Sequence, residues 1–187
     1  MINILFDRDS FKILTLFSLS PGSRFKRNEI KQNININNVP LDYALLRLIR
    51  SNILKREGNL YSLNFENKEM KEIVNIIERD HIYLKRIPIK IYFLILDLIS
   101  DKILFKDCEL YLFGSYSKLV YNDKSDIDIA ILTSKDLKKD LLNKLIKKLE
   151  KRYNKAIEVH FFDKNKFYKN KKDPLVKDII KNGVKLC

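Results

Sequence analysis

The chain of 187 residues has only two cysteines, Cys108 and Cys187, and neither lies in a Cys-x-x-Cys or Cys/His ligand pattern. This scarcity excludes a disulfide framework and a structural zinc site of ordinary spacing. The longest apolar run, "IYFLILDLI", is too short to cross a bilayer. The opening residues, "MINILFDRDS", lack the basic and apolar regions of a secretion signal. We therefore expect a cytoplasmic protein without a membrane segment.

Acidic residues are scarce relative to basic ones, with 24 Asp+Glu against 37 Lys+Arg and a formal net charge of +13. This balance favours polyanionic partners, such as nucleic acid, a nucleoside triphosphate or an acidic protein surface. Residues 1–66 carry 10 basic against 6 acidic side chains, and residues 67–187 carry 27 against 18. A lysine-rich solvated surface would give the same composition, so both interpretations stay open.

Glycine is also scarce, and each of the four glycines stands where a break in secondary structure is expected. Gly22 follows a helical pattern, Gly58 separates two short strand patterns, and Gly183 follows the last helical pattern. Gly114 differs from these because it directly closes an apolar strand. A glycine at that position indicates a tight turn or a close backbone approach.

The first 66 residues contain three segments with helical periodicity, "SFKILTLFSL", "RNEIKQNI" and "NVPLDYALLRLIRS". Two short strands around a Gly-Asn turn follow in "NILKREGNLYSLNF". Three helices closed by a β-hairpin resemble a winged helix-turn-helix domain, and the resemblance covers residues 1–66. It implies that the third helix, from about Pro40 to Ser51, is the recognition helix.

Five side chains of this segment are candidate nucleic-acid-binding residues. Tyr43, Arg47 and Arg50 lie off the apolar stripe of the third helix, while Lys55 and Arg56 lead into the hairpin. Arginines at such positions can bind phosphates or guanine edges in a major groove. Winged helices also serve as protein-docking or dimerising modules, so DNA and protein both remain possible partners.

The pattern of residues 67–86 predicts a connecting helix, because Met70, Ile73, Ile76, Ile77 and Leu84 recur at helical spacing. An apolar stripe of this kind would pair with its copy in a homodimer. Residues 87–187 are predicted to form a second domain that opens with a buried helix. Alternating strand and helix patterns then indicate a small mixed β-sheet flanked by helices, and an α+β class for the whole chain.

Two apolar strands of the second domain carry polar groups. The strand Glu109–Phe113 ends at Gly114 and Ser115, and ten residues later Asp126 and Asp128 occur in a strand predicted over Asp126–Leu132. Residues i and i+2 of a strand face the same way, so the two carboxylates are expected to project together. Such a pair is stabilised by a cation between its members, and Mg²⁺ prefers oxygen ligands.

The other expected parts of the site are a phosphate seat and a third carboxylate. The turn at Gly114 and Ser115 would let a phosphate approach free backbone N–H groups. Glu158 is the one carboxylate inside the apolar strand "KAIEVHFF". Two-metal displacement also requires a group that orients or deprotonates the attacking hydroxyl. His160 has the same parity as Glu158, although a strand histidine is more often a surface or half-buried residue.

Gly-Ser, ten intervening residues, Asp-Ile-Asp-Ile and a later apolar-Glu-apolar strand resemble the nucleotidyltransferase superfamily that contains DNA polymerase beta. The likeness is greatest to the minimal nucleotidyltransferases of prokaryotes, and it covers roughly Pro88 to Cys187. It implies Mg-dependent transfer of a nucleoside monophosphate, AMP from ATP, to an acceptor hydroxyl. The implied roles are two Mg²⁺ ions on Asp126, Asp128 and Glu158, activation of the acceptor by Glu158, and triphosphate binding by Gly114, Ser115 and Lys118.

Three positions depart from the pattern of that family, and one of them is Glu158, which replaces the commoner Asp and lengthens the reach without changing the chemistry. Lys118 stands where the minimal members usually have Arg, and it offers charge to a phosphate without the bidentate fork of arginine. Leu119 stands where they usually have Gly, which narrows the approach to the turn.

The acceptor is left open by the sequence. By analogy, several minimal nucleotidyltransferases are antitoxins that adenylylate a tyrosine of a partner toxin, which suggests a protein acceptor. A second hypothesis is a DNA-binding transcriptional regulator whose nucleotidyltransferase-like domain only binds nucleotide. A third is nucleotidylation of a small molecule such as an aminoglycoside.

Overall fold

The computed structural model describes residues 7–80, 87–101, 104–134 and 137–186. The chain divides into two compact units, residues 1–85 and residues 86–187, called the first unit and the second unit below. Leu84 and His81 lie outside the described residues, as does Cys187.

The first unit contains four helices and three short strands among its described residues. Their order is α1 (Arg8–Leu19), β1 (Phe25–Lys26), α2 (Arg27–Ile34), α3 (Asn38–Arg50), β2 (Leu54–Glu57), β3 (Leu60–Leu63) and α4 (Lys68–Asp80). The strands form an antiparallel sheet in the order β1-β3-β2.

Local chemistry explains where these elements begin and turn. The Asp7 carboxylate accepts a hydrogen bond of 2.9 Å from the Ser10 N–H and so caps α1. Gly58 turns the β2–β3 hairpin with a φ of +60°, a conformation that glycine adopts without steric cost. The core is apolar, and its fully buried members include Ile13, Leu14, Phe17, Ile30, Ile34, Leu41, Leu48, Ile53 and Leu63.

The apolar stripe of α4 is used inside the first unit. Met70, Ile73, Val74 and Ile77 are buried, and α4 packs against α1. The expectation that this stripe would pair with a second copy was therefore wrong for those side chains. Ile76 stays substantially exposed on the same helix.

The second unit contains five helices and four strands among its described residues. Their order is α5 (Ile89–Ile99), β4 (Cys108–Phe113), α6 (Gly114–Ser117), β5 (Ile127–Thr133), α7 (Lys139–Tyr153), β6 (Ile157–Asp163), α8 (Lys164–Phe167), α9 (Pro174–Asn182) and β7 (Val184–Lys185). The sheet order is β6-β5-β4-β7, with β5 and β6 parallel and the other pairs antiparallel. This confirms a small mixed sheet flanked by helices.

One face of that sheet is covered by α8 and α9 over most of its length. Ala130 and Leu132 of β5 are buried there against Phe167, Val176 and Ile179 of these two helices. The Asp173 carboxylate caps α9 by accepting the N–H groups of the next turn, with a proline at the first helical position. The opposite face is buried at Leu110, Leu112, Ile127, Ile129 and Ile131, whereas Phe161 of β6 on that face is exposed.

Glu109 of β4 forms ion pairs and hydrogen bonds with the last elements of the chain. Its carboxylate contacts Lys164 Nζ at 2.6 Å and Lys185 Nζ at 3.1 Å, and it accepts hydrogen bonds from Tyr168 Oη at 2.6 Å and Tyr111 Oη at 3.1 Å. The bond from Lys164, followed by that from Tyr168, lowers the pKa of Glu109 to about 2. Glu109 therefore stays ionised and holds α8 and β7 at the sheet edge.

Two details differ from the strand and helix pattern expected from sequence. Strand β5 begins at Ile127, whose N–H donates to the Ala156 carbonyl at 3.0 Å, so Asp126 precedes the strand. The short elements β1 and α8, of two and four residues, were not predicted. Elements of that length carry too few residues for a periodic pattern.

Candidate active site

Asp128 and Glu158 lie side by side on the two parallel strands of the sheet. They are direct partners in the register of β5 and β6, so both side chains leave the same face. Burial, then the charge of Glu158, raises the pKa of Asp128, and the charge of Asp126 acts in the same direction. The structure therefore concentrates negative charge at this end of the sheet, where a bound cation would relieve it.

His160 adds a nitrogen donor to these two carboxylates. Its Nε2 lies 3.1 Å from Oε1 of Glu158, and its ring packs edge-on against Phe113 with the centroids 5.2 Å apart. One ligating atom from each of Asp128, Glu158 and His160 can be chosen so that all three lie within 4.8 Å of one another. Sequence reasoning placed His160 on this face by its parity but did not include it among the site residues.

Asp126 is not in that group of three. It is exposed, precedes β5 by one residue, and lines a recess of about 340 Å³ together with Lys124, Glu150 and Lys155. Its charge nevertheless contributes to the raised pKa of Asp128. Its role as a metal ligand stays a prediction.

Gly114 begins α6 directly beside the carboxylate of Asp128. Its φ is +70°, and a Cβ at this position would overlap Oδ2 of Asp128 and lie 2.7 Å from Cγ. The next backbone N–H, that of Ser115, donates a hydrogen bond to Asp128. Glycine is required here both by the backbone conformation and by the close approach, and the turn meets the acidic pair in one place.

Lys118, a candidate phosphate contact, forms an ion pair with α9. Its Nζ lies 2.8 Å from Oδ1 of Asp178, and Lys118 is the largest cause of the lowered pKa of that carboxyl. Sequence reasoning missed Asp178, because nothing local connects it with a lysine sixty residues earlier. Leu119, the residue after Lys118, has a φ of +60°, in the left-handed region that favours glycine.

The five candidate nucleic-acid-binding residues of the first unit have different surroundings. Tyr43 and Arg50 are exposed on α3. Arg47 pairs with Asp7 at 2.9 Å and Lys55 pairs with Glu57 at 3.0 Å. Arg56 donates from Nε to the Gly58 carbonyl at 2.8 Å and lies over the ring of Tyr61.

A family model described as a nucleotidyltransferase domain matches residues 94–187. The matched range contains the turn at Gly114, the acidic pair and the Lys118–Asp178 contact, and the chain belongs to this nucleotidyltransferase family. The class of activity is transfer of a nucleoside monophosphate. Searches among curated proteins and among solved structures gave no significant match. None of the helices in the described ranges is long and apolar enough to cross a membrane.

Proposed function

We propose that the second unit transfers a nucleoside monophosphate, AMP from ATP, to a hydroxyl group on a protein or another macromolecule. The observation that carries the proposal is the in-register pair of Asp128 and Glu158 beside Gly114. Gly114 has a φ of +70° and lies against the Asp128 carboxylate, so the backbone N–H groups of its turn are next to the acidic pair. Nucleotidyltransferases need these two parts together, a cation site and a phosphate seat.

The donor set fits a divalent cation. Two carboxylates that approach each other with a raised pKa at Asp128 form a site in which positive charge is favourable. Asp128 and Glu158 would hold Mg²⁺, Asp126 is proposed as a further ligand for a second ion, and the ions would neutralise phosphate charge. The backbone N–H groups at Gly114 and Ser115 would bind the phosphates once the Ser115 N–H exchanges its hydrogen bond with Asp128 for one to a phosphate oxygen.

The acceptor oxygen forms a bond to the α-phosphorus, and the bond from that phosphorus to the bridging oxygen breaks. Pyrophosphate leaves with the electron pair, and the acceptor proton passes to the Glu158 carboxylate. Lys118 would first break its ion pair with Asp178, and its side chain would then contact the triphosphate.

The test compares label transfer from ATP labelled at the α-phosphorus to macromolecules of a cell extract, with the wild type and the Asp128→Asn variant. Asp140→Asn serves as the matched control, because Asp140 is an exposed aspartate at the start of α7. We expect loss of transfer in Asp128→Asn and normal transfer in Asp140→Asn. Transfer that is equal in both variants, or absent with every nucleoside triphosphate, would refute the proposal.

For the first unit we propose a winged helix. Its support is the element order from α1 to β3 together with the antiparallel sheet β1-β3-β2, which closes three helices with a hairpin. An antitoxin-like role, with a partner toxin as acceptor and a homodimer as the assembly, rests on the analogy with minimal nucleotidyltransferases alone.

DNA binding through α3 is the second candidate function, and exposed Tyr43 and Arg50 favour it. Arg47 and Lys55 oppose it, because their charges are already matched by acidic partners. The test measures the salt dependence of binding to a duplex. Arg50→Ala should weaken binding and an exposed lysine variant on α4, Lys71→Ala, should not; equal effects would exclude α3 as the contact.

A further inference from the structure

The spacing between His160 and Glu158 matches that of two neighbouring ligands on one cation. The distance from Nε2 of His160 to Oε1 of Glu158 is 3.1 Å. Adjacent ligands of a six-coordinate dication with bonds near 2.1 Å lie about 3.0 Å apart. Asp128 completes a group whose ligating atoms all lie within 4.8 Å of one another, so the three could close on a metal through two oxygens and one nitrogen.

The imidazole ring is held in this position by its surroundings. Phe113, which is buried, packs edge-on against it with an interplanar angle of 74°. The register partner of His160 on β5 is Ala130, whose methyl side chain leaves room on the same face. Strand alternation places the ring on the side of the sheet where Asp128 and Glu158 lie, and Phe113 packs against it there.

The third donor beside the acidic pair is consequently a nitrogen in this chain. Asp126, the carboxylate that the motif would supply, is exposed before β5 and is not a member of the group. Mg²⁺ binds oxygen ligands and rarely imidazole, whereas first-row transition dications accept both kinds of donor.

We infer that His160 is a direct ligand of the catalytic cation, and that the site selects a first-row transition dication such as Mn²⁺ over Mg²⁺. This inference rests on the proposed function in one respect, namely that Asp128 and Glu158 form the catalytic cation site. It assigns to His160 a role in metal selectivity, while Asp128 and Glu158 supply affinity for either ion.

The experiment titrates the full chain with Mn²⁺, following free Mn²⁺ by electron paramagnetic resonance, and with Mg²⁺ by calorimetry. The chain has two histidines, so His81→Gln is the matched control for His160→Gln. We expect Mn²⁺ to bind at least about tenfold more tightly than Mg²⁺. His160→Gln should lose about tenfold or more in Mn²⁺ affinity and change Mg²⁺ affinity by less than about threefold. His81→Gln should bind both ions as the wild type does.

A second measurement does not depend on the folding of His160→Gln. Electron spin echo modulation of bound Mn²⁺ in the wild type should show coupling to a directly bound nitrogen, and His81→Gln should retain it. Absence of nitrogen coupling would overturn the inference. Equal loss of Mn²⁺ and Mg²⁺ affinity in His160→Gln would also overturn it, since that result indicates a structural role.

The two proposals fail in different ways. If His160→Gln keeps Mn²⁺ affinity and label transfer, only the ligand role of His160 is wrong. If Asp128→Asn leaves transfer intact, the proposed function is wrong whatever the metal preference.

Discussion

Replacing Gly114 with alanine tests the contact between the turn and the acidic pair. A side chain with φ near +70° costs about 1–2 kcal/mol. Alanine also lowers the conformational entropy of the unfolded chain, which offsets about 0.4–1 kcal/mol of that cost. The added Cβ also overlaps the Asp128 carboxylate, and overpacking of this kind costs about 1–3 kcal/mol. Together these contributions give a destabilisation of about 1–4.5 kcal/mol, and we also expect loss of nucleotide transfer.

Two comparisons separate the backbone cost from the contact. Gly58 also has a positive φ, of +60°, but a Cβ there would meet nothing within 4 Å, so Gly58→Ala should show the backbone cost alone. In an Asp128→Ala background, Gly114→Ala should destabilise the fold by about 1–3 kcal/mol less, because the carboxylate atoms that the Cβ overlaps are absent. Urea unfolding followed by circular dichroism measures all of these free energies. Equal costs for Gly114→Ala and Gly58→Ala, together with a coupling near zero, would refute the reasoning.

Three further predictions concern the surroundings of the site. Asp178→Asn should raise ATP affinity by up to about fivefold, measured by calorimetry, because a half-exposed ion pair with Lys118 is worth about 0.2–1 kcal/mol. Glu109→Gln should destabilise the fold by about 2 kcal/mol at pH 7. Because the folded pKa of Glu109 is lowered to about 2, that difference should shrink as pH falls from about 4.5 to about 2. Leu119→Gly should leave thermal stability unchanged or higher, whereas Leu119→Val should lower it, since a β-branched residue fits φ of +60° poorly.

Each of these has a result that would contradict it. Unchanged ATP affinity in Asp178→Asn would mean that Lys118 takes no part in triphosphate binding. If Glu109→Gln destabilises the fold as much at pH 2 as at pH 7, the destabilisation comes from lost packing and not from the charge of the Glu109 carboxylate. A stable Leu119→Val variant would show that the left-handed conformation carries no measurable cost at that position.

The longer elements of the fold were predictable from sequence because periodicity is a local property. Helix α2 spans the predicted segment "RNEIKQNI", β4 begins one residue before its predicted start, and β6 is shifted by one residue at both ends from the predicted Ala156–Phe162. The start of β5 was not predictable, because it depends on a hydrogen bond from Ile127 to Ala156, the residue just before β6. Local pattern cannot show which residues of two distant strands face each other.

The same distinction applies to the site. The types of residue and the alternation of the strands placed Asp128, Glu158 and His160 on one face. The register that makes Asp128 and Glu158 direct partners is a non-local property of the sheet. The pairing of Lys118 with Asp178 depends on how α9 packs, so only the structure shows it.

The central claim, transfer of a nucleoside monophosphate, is tested most directly by following both ends of the same ATP. The measurement compares incorporation from ATP labelled at the α-phosphorus with incorporation from ATP labelled at the γ-phosphorus, and it quantifies released pyrophosphate. We expect only the α-label to enter the acceptor, with one pyrophosphate released per label, and we expect Asp128→Asn to abolish both. Incorporation of the γ-label, or α-label transfer that is unaffected by Asp128→Asn, would contradict it.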